Sequence, residues 1–169
     1  YNQYNDGGDL QIGSFYEGGY VFELNNDGTV LLADLSDLDE LLTQAQAENT
    51  CEALTSNGHD DWYLPSADNL TSIFNSLSSW GSHPTSEFNE GNSDINRYWS
   101  SSFAPSPNNN PMVLMFSPNQ VPIPWVPWSN FNVRCIRSSN ISNSTATQCP
   151  AEHCFIDENG YCKDMDWPS

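Results

Sequence analysis

The sequence predicts an α+β domain, and three observations carry that prediction. An alternating apolar hairpin comes first, two segments of helical period follow, and short apolar runs close the domain. Residues 1–17 are polar, aromatic and Gly-rich and read as a leading arm. "YVFEL" then alternates as a strand, "NNDG" supplies the residues a hairpin turn needs at positive φ, and "TVLLADL" returns. From about Asp37 the period lengthens. Leu38, Leu41, Leu42, Ala45, Ala53 and Leu54 predict a helix that Gly58 stops. Asp37, Asp39 and Glu40 would lie in its first turn, where the helix dipole favours carboxylates. "HDDWYLPS" is an extended link. Ser66 then caps a second helix, "ADNLTSIFNSL", whose Leu70, Ile73, Phe74 and Leu77 share one face. After a loop of turn-forming residues come three strand candidates, "RYWSSSF", "PMVLMFS" and "NFNVRCIRS". The prolines between them cannot donate ladder hydrogen bonds and belong to loops or edges. Linker chemistry begins near Ser138 and leads to a Cys-containing tail. The chain therefore divides into an arm (1–17), a domain (18–138) and a linker with tail (139–169).

The 169 residues suit one domain, and 37% hydrophobic with 12% aromatic content is enough for a core. Charge is the more selective property. Four basic residues against 22 acidic ones leave a net charge of −18. Nucleic acid and anionic membranes are thereby poor partners, and cations, calcium included, are the natural small ones. No apolar run is long enough to span a bilayer. A chain beginning at Tyr1 reads as a processed or excised product. Five cysteines, one lysine and many Ser, Asn and Thr residues point to an exported protein, at a cell or virion surface or free outside it. Three sequons start at Asn69, Asn140 and Asn143, and the last two, in a polar stretch, are the better glycosylation candidates.

Four blocks in order, "GGYVFELNNDGTVLLADLSD", "AQAENTCEAL…NGHDDWYLPSADNL", "YWSSS" and "VRCIRS", resemble the Lcl C-terminal-like domain family. These are domains of bacterial and phage exported proteins with a C-type-lectin-like fold, and the resemblance runs from about Gly18 to Ser138. It implies two helices, a small antiparallel sheet and long irregular loops. It also implies that Cys51 and Cys135 meet in the core. A disulfide there would contribute on the order of 4 kcal/mol by the chain-entropy model; two buried free thiols are the alternative. The chain departs from the pattern at Asn69, where the family usually has an acidic residue. It departs again between "YWSS" and "RCIR", where a short hairpin is replaced by a Pro-rich segment carrying Trp125 and Trp128.

That segment, Ser102 to Asn132, is the candidate binding surface. Phe103, Asn108, Asn109, Asn119, Gln120, Trp125, Trp128 and Asn130 are its candidate contacts with a protein or glycan ligand, because aromatic anchors on stiff loops lose little entropy on docking. One of the two tryptophans is expected in the core and one available; Trp62 and Trp99 are core. The calcium-dependent sugar-binding tripeptides of C-type lectins are absent, so no cofactor is expected, with calcium the one ion the resemblance leaves open. Cys149, Cys154 and Cys162 make an odd set. One local disulfide and a leftover thiol, free to bridge chains, fit better than zinc held by three thiolates and His153, which sits beside Cys154. His59, His83 and His153 are scattered, and Cys135 bonded to Cys51 would be inert, so catalysis is not expected. The second reading is a structural subunit of an extracellular filament or surface layer, polymerising through arm, tail and loop surface.

Overall fold

The computed structural model describes residues 10–85, 87–91, 95–141, 154–156 and 162–164, the last two segments as backbone. The fold is α+β. One antiparallel sheet runs in the order β1 (Phe15–Tyr16), β2 (Gly19–Leu24), β3 (Thr29–Ala33) and β7 (Ile136–Asn140). A second contains β4 (Arg97–Phe103), β5 (Pro111–Met115) and β6 (Ile123–Pro124). Helices α1 (Gln44–Glu52) and α2 (Ala67–Leu77) pack beside them. Strands β8 (Cys154–Ile156) and β9 (Cys162–Asp164) pair with each other.

Tyr98 and Trp99 are neighbours in β4, so their side chains point to opposite faces, yet both are fully buried. The second sheet is thus covered on both sides. Tyr98, with Leu114 and Phe116, packs under α2 against Phe22 and Ile136. Trp99, with Val113, packs under α1 against Trp62, Val133 and the disulfide. That disulfide joins Cys51 on α1 to Cys135, 84 residues on, and both sulfurs are buried. The remaining face of the first sheet buries Tyr16, Val21, Val30 and Leu32 under Leu10 and Ile12. Part of the leading arm is therefore core.

Local chemistry explains where α2 begins. Ser66 Oγ accepts the Asn69 N–H, and Asn69 Oδ1 accepts the Ser66 N–H in return, a complete capping box. The first helix departs from expectation. It starts after Thr43, whose reciprocal bonds with Gln46 make the same box. Asp37, Asp39 and Glu40 lie outside it. Leu38 and Leu42 pack on the expected core, but from extended chain, because their backbone N–H groups bond to the carbonyls of Val133 and Phe131. The helix ends at Glu52, capped by Ala53, rather than at Gly58. Asn57 (φ 53°) and Gly58 (φ 83°) instead form a two-residue turn closed by Ser56 and His59, a corner built on positive φ. The last strand also starts later than expected: residues 131–135 run extended between Leu42 and β4, and pairing with β3 begins at Ile136.

Candidate functional site

Two loop systems flank β4, and their chemistry differs. The first is a strap, residues 87–91, held over a buried ion pair. Arg134 is buried in a stretch from Asn132 to Arg137 with no exposed position, so it has no outward face to reach water. Its Nε donates to Asp37 Oδ1 at 2.8 Å, and its Nη1 and Nη2 donate to the carbonyls of Asp34 and Glu87. Its guanidinium lies 4.1 Å from the centre of the Phe88 ring. Asp37 Oδ2 accepts from the Tyr98 hydroxyl at 2.7 Å, and that hydroxyl accepts the Asn89 N–H. Asn89 also donates to Asn132 Oδ1 at 2.6 Å.

Burial pushes the Asp37 carboxyl above its ordinary value, against the opposing pull of Arg134 and Tyr98. Burial, and then the Asp37 charge, push the Tyr98 phenol up. This network borders an open cleft of about 650 Å³, lined by Tyr20, Leu35 and Phe88 and by the carboxylates of Asp37, Glu87 and Glu90. Glu90 is engaged with the Ser79 N–H. Among the described residues no group of three or more His, Cys, Asp or Glu side chains is placed to hold a metal ion, and no helix is long and apolar enough to cross a membrane.

The second system is the Pro-rich loops. Residues 98–133 contain no Asp, Glu, Lys, Arg or His, in a chain of net charge −18. The structure divides the candidate contacts between the two ends of β5. At its start, Phe103 stands opposite Pro111, the turn between them carries Asn108 and Asn109, and the Trp125 N–H bonds to the Pro111 carbonyl. Phe103 is 55% exposed, and Asn108 and Asn109 are exposed. Asn119 and Gln120, also exposed, lie with Val121 in the connection leaving the far end of β5. Five strand residues separate the two ends, about 15 Å at the usual rise per residue.

The two tryptophans differ sharply. Trp125 is half-buried, with the Arg97 guanidinium 4.8 Å from its ring centre and Phe131 meeting it edge-on at 5.7 Å; Phe131 in turn packs on Trp99. Trp128, at a turn closed by the Ser129 N–H and the Val126 carbonyl, is 74% exposed, with exposed Pro127 before it and exposed Asn130 after. Trp125 is packed into the fold, and Trp128 is largely exposed.

Of the sequon residues, Asn69 is committed to the α2 capping box, Asn140 is exposed at the end of β7, and Asn143 lies outside the described residues. So do Cys149 and His153, and Cys154 and Cys162 are described by backbone alone. The Arg134–Asp37–Tyr98 network was not anticipated. Its one sequence signal is an arginine inside "NVRCI", where apolar neighbours on both sides point to a buried site that needs a partner. Compared with known proteins, the chain matches no protein-family model and no curated protein.

Proposed function

We propose that the chain is a non-catalytic extracellular binding or adhesion domain of C-type-lectin-like build, which offers the Trp128 end of its uncharged loop face to a protein or glycan. One observation carries this reading: the most exposed large apolar side chain of the described residues, Trp128, projects from a stretch of sequence kept free of charge in a strongly acidic protein. Three residues earlier, Trp125 is held between Arg97 and Phe131, which anchors this loop to the fold. Prolines at 122, 124 and 127 withhold N–H donors along β6, so the face would bind through rings and amides rather than by adding a strand. An enzymatic reading would draw on Cys135, whose sulfur is bonded to Cys51.

The test is binding of the labelled full chain to arrays of glycans and of extracellular proteins. Trp128→Ala should weaken the captured interaction by about 30-fold or more. Equal binding by both proteins would sink the reading.

A second reading, a subunit of an extracellular filament or surface layer, is favoured by the division of the face. Two unlike uncharged patches at opposite ends of β5 could meet head to tail, and such contacts need not close.

A further inference from the structure

We infer that the partner at the Trp128 end is a second copy of this chain, docked patch to patch. The inference rests on the binding reading above and names its ligand. The starting point is where the charge lies. Acidic residues outnumber Lys and Arg 22 to 4, and the three arginines are engaged within the fold: Arg134 with Asp37, Arg137 with Asp61, and Arg97 over Trp125. The surface outside the loop face is therefore anionic.

A cationic partner would be drawn to those carboxylates, and a neutral aromatic patch would add little to its capture. An anionic partner is repelled everywhere except at the patch. This chain is such a partner, and it carries the matching neutral patch. In a two-fold pairing the same residues meet, with Trp128 and the exposed Pro127 on both sides, and no carboxylate of the run 98–133 opposes another because it has none. The clamp on Trp125 and the prolines around Trp128 keep the ordering cost low. Prolines at the β6 edge also disfavour open-ended strand pairing, so the contact closes at two copies.

Repulsion between two bodies of charge −18 opposes this dimer, which gives it a signature. An interface made by opposite charges weakens in salt; this one strengthens, because salt screens only the repulsion.

The experiment is sedimentation velocity of the full chain, with any free thiols first blocked by iodoacetamide, over a concentration series from about 0.02 to about 0.5 M NaCl. The expected result is a monomer–dimer equilibrium that tightens with salt. Trp128→Ala should weaken it by about 30-fold or more. Leu24→Ala, at an exposed apolar residue ending β2 in the other sheet, should leave it unchanged. A monomer at every concentration and salt, a dimer indifferent to Trp128→Ala, or growth without limit would overturn the proposal. Acrylamide quenching of the monomer, wild type against Trp128→Phe, separates the two failures. A freely quenched Trp128 would keep the binding face and reject only the second copy. A protected Trp128 would reject both.

Discussion

The strap at residues 87–91 and the loops around Trp128 flank the same strand and are held by opposite means. The strap is tied to the core by charge: Arg134 reaches the Glu87 carbonyl and the Phe88 ring, and Asn89 bonds to the Tyr98 hydroxyl beside Asp37. The Pro-rich loops have no charge of their own and are held through rings, Phe131 packing on Trp99 and Trp125, with Arg97 lying over Trp125. A buried charge fixes a loop because leaving it unpaired is so costly. A ring-packed loop costs little to leave partly open, so it can keep a tryptophan outside. In this chain, charge turned inward ties the strap to the core, and charge kept out of residues 98–133 leaves the loops an uncharged run on which the proposed binding reading rests.

The largest effect should come from breaking the charged tether. Arg134→Ala leaves the partly buried Asp37 beside Tyr98 without its cation, and should cost about 3 kcal/mol in urea unfolding. Replacing both partners, as Asp37→Leu with Arg134→Met, should recover most of that loss, because it is the stranded charge that is expensive. If the single and double variants lose the same amount, packing of Arg134 on Phe88 matters more than the pair.

That tether is also what the sequence conceals. The start of α2 was legible because Ser66 and Asn69 make their capping box three residues apart, as did the hairpin at "NNDG". The start of α1 was misread because Asp37 is claimed by Arg134, 97 residues away, while Leu38 and Leu42 have helical spacing in an extended segment. The Cys51–Cys135 bond came with the family resemblance rather than from spacing. The loop surface looked like one face because its residues are consecutive, yet β5 sets Asn119 and Gln120 at the end away from Asn108 and Asn109. Trp125 and Trp128 are alike in sequence and differ because Arg97 and Phe131 cover the first.

A smaller effect distinguishes buried from exposed carboxylates. Burial raises Asp34 and Asp37, so each binds its proton more tightly when folded. Their ionised forms oppose folding above those raised values, and that cost disappears as acid protonates them. Asp61 behaves oppositely. Its hydrogen bonds to Arg137 hold it below the ordinary value of 3.8, so its contribution is present above that value and is lost as pH falls through the lowered one. Asp61 is half exposed, so the contribution is no more than about 1 kcal/mol. Asp61→Asn should therefore be less stable than wild type at neutral pH, with the difference closing in acid below the Asp61 value. A difference that persists there would assign the loss to hydrogen-bond geometry instead of charge.

The smallest effect on stability should come from Trp128, the residue on which the proposed binding face rests. Trp128 is largely in water already, so Trp128→Ala removes little buried area and should shift unfolding by no more than about 0.5 kcal/mol. An exposed tryptophan that adds little to the fold is a surface liability unless something covers it. The measurement is thermal unfolding of wild type and variant across protein concentration. Equal midpoints at low concentration, with a rise only in wild type at high concentration, would show that the covering is intermolecular, since association stabilises a fold by mass action. A variant that melts early even when dilute would mean that Trp128 packs within its own chain, and the two loop systems would then differ in chemistry without differing in purpose.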